Sequence, residues 1–222
     1  LGWLKELDTG GCLGVSFGGG EPTLRSDFVD ICRRAAQETH LAITFTTHGH
    51  RLTPQMVGSL RGFVHFARIS VDGVGRTYEE QRGKPFVSLL KAMELIATLS
   101  PFGINVVVNE RTVVELDAVA ELAQTFGASE LLLLPQQKTS KAASIDGATS
   151  LALQDWVSKY RGTVRLAVSE AGALGLPTCD PLPDEQGIQA YAHIDSSGML
   201  RANSYATAGT KIGAAGVISA LK

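Results

Sequence analysis

The sequence predicts an α/β fold: a parallel sheet wound by helices, as a barrel or an open sheet. Three observations lead there. Short apolar runs alternate with longer segments of helical period over residues 1–136, and such alternation implies parallel strands joined by right-handed crossovers. The runs 104–108 and 131–134 are apolar without alternation, which suits strands buried on both faces. Each strand-like run ends in polar, Gly or Pro residues. In parallel α/β folds that rim is where ligands sit.

The elements follow in order. Residues 1–7 read as the end of a helix and 12–17 as a compact strand. Residues 27–39 carry Phe28, Ile31, Cys32, Ala35 and Ala36 at helical spacing, with Ser26 as the expected N-cap. A β-branched strand is expected at 41–46, a helix with Pro in its first turn at 54–61 and a strand at 66–71. A helix at 86–99 stops at Pro101, a strand follows at 104–108, a helix at 114–126 ends at Gly127, and 131–134 closes the series. The first element is a helix where such a fold begins with a strand. One β unit is therefore expected to be missing upstream, and the absence of an initiator Met points the same way.

After Gln136 the character changes. Residues 138–150 read as a loop, 152–160 as a helix and 164–169 as a strand. Residues 172–187 are rich in Gly and Pro and read as a long loop. The runs 189–194 and 199–204 flank Asp195 to Gly198 as a hairpin, and 215–222 form a short closing helix. Residues 1–136 are thus expected to form the core and 137–222 a small α/β extension.

The bulk numbers narrow the function. A chain of 222 residues, 44% apolar and 19% charged, fits one domain with an appendage. A net charge of −2 suggests neither a nucleic-acid nor an anionic-membrane partner. No apolar run is long enough to span a bilayer, and the N-terminus is not a signal peptide. Cys12, Cys32 and Cys179 form no metal-binding spacing. They fit a reduced, cytoplasmic protein.

Chemistry is expected at the strand ends: Gly18 to Pro22, Thr46 to Gly49, Ser70 to Gly73, Asn109, and Pro135 with Gln136. The first is the sharpest. Gly18, Gly19 and Gly20 leave bare backbone, Glu21 adds a carboxylate, and Pro22 fixes the turn. Carbonyls beside a carboxylate suit an ammonium group, whereas a phosphate would call for lysine and helix amides.

The stretch from Val15 to Phe28, VSFGGGEPTLRSDF, resembles the second strand and GGEP loop of radical S-adenosylmethionine (SAM) enzymes. Thr46 to Gly49 is similar to the TNG that ends their third strand, and Ile69 to Gly73 to their fourth-strand end. Glu80 to Gly83 resembles an RG element of peptide-modifying members. Residues 106–109 and 131–135 match the fifth and sixth strands. The resemblance implies a (β/α)6 TIM-like barrel lacking its first β unit. It implies that Gly19, Gly20 and Glu21 hold the methionine ammonium of SAM, and that Ser70 and Asp72 face its ribose or carboxylate. Arg82 would pair with the carboxylate, Asn109, Leu134 and Pro135 would lie near ribose and adenine, and Thr47 and His48 would share the rim.

The implied cofactors are SAM and a [4Fe–4S] cluster. The implied reaction is reductive cleavage of SAM to a 5′-deoxyadenosyl radical, which abstracts hydrogen from a peptide or natural-product substrate; an electron donor would be a further partner. The family's CxxxCxxC cluster motif is absent, so this stretch by itself is expected to be inactive. The C-terminal part resembles a degenerate SPASM or twitch extension, with Asn203 where a ligand cysteine is expected. One cysteine cannot hold an auxiliary cluster, and Cys179 could instead face the substrate cavity. Two alternatives stand beside this reading: a non-catalytic SAM- or partner-binding protein of the same fold, and an unrelated barrel enzyme using Glu21, Asp72 and His48 together.

Overall fold

A computed structural model describes residues 1–139, 142–169, 176 and 187–222. Six parallel strands lie side by side in sequence order: β1 (Gly14–Phe17), β2 (Ala42–Thr47), β3 (Phe66–Ser70), β4 (Phe102–Val108), β5 (Glu130–Pro135) and β6 (Arg165–Val168). The strands follow α1 (Gly2–Thr9) and are separated by α2 (Phe28–Glu38), α3 (Pro54–Leu60), the pair α4 (Arg76–Arg82) and α5 (Phe86–Ala97), α6 (Leu116–Thr125) and α7 (Gly147–Lys159). The α/β expectation and the partial barrel therefore hold. β6 pairs with β5 from Glu130 opposite Arg165 to Leu133 opposite Val168, so the main sheet continues past Gln136.

One face of this sheet makes the core. Ile43 and Phe45 of β2, Ala67 and Ile69 of β3, Ile104 and Val106 of β4, and Leu131 and Leu133 of β5 are buried. They pack with Phe28 and Cys32 of α2, Leu89, Met93 and Ile96 of α5, and Val119 of α6. Burying apolar side chains of this size supplies most of the folding drive, at roughly 25 cal/mol per Å². The other face carries the alternate positions, which are only half-buried: Thr44, Thr46, Arg68, Ser70, Asn105, Leu132 and Leu134. Here the structure corrects the sequence reading. β4 and β5 were expected to be buried on both faces. Instead their burial alternates, because helices cover one side and the concave side is partly open.

Local chemistry sets the element ends. The Thr53 side chain accepts the Met56 N–H at 3.1 Å ahead of Pro54, and Asp146 accepts the Thr149 N–H at 2.8 Å. Helix α4 was not anticipated: its sequence RTYEEQR offers one apolar side chain, Tyr78, which is fully buried. Gly83 ends it in the left-handed conformation, φ 64°.

The C-terminal part forms a three-stranded antiparallel sheet of β7 (His193–Ile194), β8 (Met199–Arg201) and β9 (Thr210–Lys211), then α8 (Val217–Ala220). The predicted hairpin is present but shorter, and Gly187–Gln189 is a 3-10 turn rather than strand. The Asp195 side chain closes the hairpin by accepting the N–H groups of Ser197 and Met199. Glu6 of α1 accepts the Val217 N–H at 2.7 Å, tying the two ends of the described chain together. Among the described residues no helix is long and apolar enough to cross a membrane.

Candidate functional site at the carboxyl ends of the strands

The loop after β1 is open. Gly19 and Gly20 have φ of 71° and 56°, and nothing lies within 4 Å of where a Cβ would be on either. L side chains rarely adopt those angles, so the glycines keep this backbone bare.

Glu21 turns inward from the same loop and is 9% exposed. Its Oε1 accepts the Thr23 N–H at 3.2 Å, the Thr23 hydroxyl at 2.5 Å and the Thr47 hydroxyl at 2.7 Å. Its Oε2 accepts the His48 N–H at 2.8 Å. Burial opposes ionisation, but the hydrogen bonds from Thr23, His48 and Thr47 outweigh it and hold the carboxyl below its ordinary range. Glu21 is thus an anion at neutral pH, fixed between the ends of β1 and β2.

His48 lies beside it, with Nε2 3.3 Å from Glu21 Oε2. Its Nδ1 accepts the His50 N–H at 3.1 Å, which leaves Nε2 as the protonated nitrogen facing the carboxylate. The His48 and His50 rings stand 4.7 Å apart, and His50 Nε2 is 3.1 Å from the Tyr78 hydroxyl. Burial, with help from the charges of Lys84 and Arg82, pushes the His50 pKa down. A cavity of about 480 Å³ opens here, lined by Leu24, His48, His50, Arg51, Arg82 and Lys84.

The remaining candidates fall into separate groups. Asp72 is buried; its Oδ1 accepts the Val107 N–H at 2.9 Å, and its Oδ2 pairs with Arg82 at 2.5 Å. The two residues therefore clamp the end of β3 to β4 and α4. The Arg82 Nε is buried without a hydrogen-bond partner among the described residues. Ser70 stands opposite Asn105 on the concave face. Asn109 Oδ1 accepts the N–H groups of Arg111 and Thr112, and its Nδ2 donates to Gln136 at 3.2 Å. Leu134 and Pro135 end β5 opposite Val107 and Val108. Glu21 meets His48, but Asp72 is bound to Arg82 instead, so these three do not assemble as one acid–base group.

Sequence reasoning missed Glu115. Its carboxylate accepts the Val74 N–H at 2.8 Å and the Thr77 hydroxyl, pinning the loop after β3. Nothing in the sequence marks it, because its partners lie 41 and 38 residues away.

Among the described residues, Cys12 and Cys32 do not suit a cluster. The Cys12 thiol donates to the Gly14 carbonyl at 3.3 Å. Cys32 is fully buried, and burial pushes its thiol pKa up to about 12; cluster ligands are thiolates. No group of three or more His, Cys, Asp or Glu among the described residues could hold a metal ion. Cys179 lies outside the described residues.

Comparison with known proteins places this rim in context. Mycofactocin maturase MftC of Mycolicibacterium smegmatis is 34% identical over 131 residues, 57% of this chain and 33% of that protein. PqqA peptide cyclase of Ruegeria pomeroyi is 29% identical over 138 residues, 58% of this chain and 36% of that one. The chain thus spans about a third of the length of these curated relatives. Streptococcus suis SuiB shares the fold with a TM-score of 0.70 at 14% identity, over 94% of this chain and 55% of SuiB. Another solved neighbour, anSMEcpe with bound AdoMet and Cp18Cys peptide, has a TM-score of 0.66 at 16% identity, over 93% of this chain and 65% of that one. The family model "Radical SAM superfamily" matches residues 1–125, which contain the glycine loop, Glu21, Ser70, Asp72, Arg82 and Asn109, and this chain belongs to that superfamily.

Proposed function

We propose that the intact protein is a radical SAM enzyme whose SAM site is built on this rim, with a peptide as its substrate. The family implies SAM and a [4Fe–4S] cluster, which together supply a 5′-deoxyadenosyl radical for hydrogen abstraction. The described residues include no fitting cluster ligands, and their part in this reading is to hold SAM.

The observation that carries the reading is the Glu21 carboxylate, ionised and fixed beside the bare backbone of Gly19 and Gly20. An ammonium group entering that loop meets peptide carbonyls and one held negative charge. Its desolvation is thereby offset without reorganising the protein, the condition for a preorganised electrostatic site. Arg82 lines the cavity beside His48, where its guanidinium suits the carboxylate carried on the same α-carbon as that ammonium. Ser70, Asn109, Leu134 and Pro135 end neighbouring strands and would flank the nucleoside. Asp72 serves this site by holding Arg82 in place. A peptide substrate is supported by relatives whose names include a peptide cyclase, and by a neighbour solved with the precursor peptide SuiA.

The test is anaerobic reconstitution of the full-length protein with iron and sulfide, followed by dithionite and SAM. 5′-Deoxyadenosine is expected from the full-length protein and none from residues 1–222 alone. Its absence from a full-length protein that carries a spectroscopically intact cluster would refute the reading.

A further inference from the structure

The cavity beside His48 carries more positive charge than one SAM carboxylate uses. Besides Leu24 it is lined by His48, His50, Arg51, Arg82 and Lys84, and no acidic residue lines it. Asp72 already neutralises Arg82, at 2.5 Å. Arg51 and Lys84 are exposed, and neither forms a hydrogen bond or ion pair with another described residue. Two unbalanced positive charges therefore line one cavity. Their field reaches the protein itself: burial first, then interaction with His48, Lys84 and Arg82, holds the His50 pKa below its ordinary value, against an opposing pull from Glu21. A cleft lined by one sign of charge gathers ligands of the other sign.

The cavity has room for a second group. Its volume is about 480 Å³, against about 30 Å³ for one water molecule in the liquid, so a SAM carboxylate on Arg82 leaves most of it free. Leu24, 59% exposed, adds an apolar wall. Cations beside an apolar wall match a short aliphatic stem with an anionic tip. A phosphate would call instead for free amides at a helix N-terminus. The helices that start nearby offer none in their first turns at these positions. In α3, which starts three residues after Arg51, Thr53 takes the Met56 N–H; in α5, which starts two residues after Lys84, Glu79 takes the Phe86 N–H at 2.9 Å.

We propose that Arg51 and Lys84 form a subsite for an acidic side chain, Asp or Glu, of the peptide substrate. The planar Arg51 guanidinium can take both carboxylate oxygens, and Lys84 supplies a second charge. Leu24 covers the methylene groups of the side chain. Arg82 stays with SAM, so the two carboxylates share one cavity and the acidic residue is held next to the SAM site. The proposal rests on the enzyme reading above and narrows its substrate to a peptide with an acidic residue near the reacting position.

The experiment uses the full-length, cluster-loaded protein, saturated with SAM so that Arg82 is already engaged. The probes are two blocked peptides, acetyl-Gly-Glu-Gly-amide and acetyl-Gly-Gln-Gly-amide, which differ only in the charge of the central side chain, and binding is read by isothermal titration calorimetry. The Glu peptide is expected to bind at least about tenfold more tightly than the Gln peptide; this comparison needs no variant. Arg51→Gln combined with Lys84→Gln should abolish the preference while SAM affinity stays unchanged. Equal binding of the two peptides, displacement of SAM by the Glu peptide, or a preference that survives the double substitution would overturn the proposal. The titration is repeated without SAM. A Glu preference that depends on Arg51 and Lys84 in a protein that does not bind SAM refutes the radical SAM reading alone, whereas SAM binding without a Glu preference refutes the acidic subsite alone.

Discussion

The Glu21 carboxylate collects contacts from Thr23, Thr47 and His48 and keeps its charge despite burial. Truncating one of these donors leaves the others, but the charge loses part of its solvation. Thr47→Val is therefore expected to lower unfolding free energy by about 1–3 kcal/mol and to raise the Glu21 pKa, read by urea denaturation and carboxyl NMR titration. An unchanged midpoint and pKa would show that Thr47 is idle. His50 supplies a pH dependence. Its folded pKa lies below the ordinary value of 6.5, so its contribution to stability is present above about pH 6.5 and is lost as pH falls and the unfolded chain takes up the proton first. Stability should thus decline from pH 7 towards pH 5, and His50→Gln should flatten that slope. The glycine run was legible in the sequence because three adjacent glycines and a Glu-Pro pair are conspicuous. The partners of Glu21 were not, because Thr47 comes to it from another strand, 26 residues on.

Among the elements, the loop after β3 is the most constrained part of the rim. Gly73 has φ 96°, and a Cβ there would come within 2.6 Å of Thr77 Cγ2 and 2.9 Å of Glu115 Oε2. Gly73→Ala combines a disfavoured backbone with crowding and should cost about 1–3 kcal/mol, with the loss of SAM affinity exceeding that of a core substitution of equal cost, because α4 and Arg82 hang from this loop. Equal affinity losses would contradict that link. Strands and their order were legible from the apolar runs. Helix α4 was not, since six of its seven residues are polar or charged and only Tyr78 anchors it. The alternating burial of β4 and β5 was also hidden: Leu132 and Leu134 are as apolar as Leu131 and Leu133, and only the curvature of the sheet distinguishes their faces.

Across the whole molecule, one sheet separates two environments: a packed face against the helices, and a concave face bearing threonines, Arg68, Ser70 and Asn105. Glu21 and Arg82 sit at the edge shared by both, where strand ends meet loops. Glu6 and Val217 join the ends of the described chain through a hydrogen bond spanning 211 residues. Glu6→Ala is expected to raise amide exchange in α1 and α8 together while β3 and β4 keep their protection; exchange confined to α8 would show that the two helices are not coupled. The central claim is that the Glu21 rim holds SAM, and its most direct test is equilibrium SAM binding by the full-length, cluster-loaded protein before and after Glu21→Gln. The account predicts at least a tenfold loss of affinity with far-UV circular dichroism and cluster absorbance unchanged; equal affinity in the two proteins would contradict it.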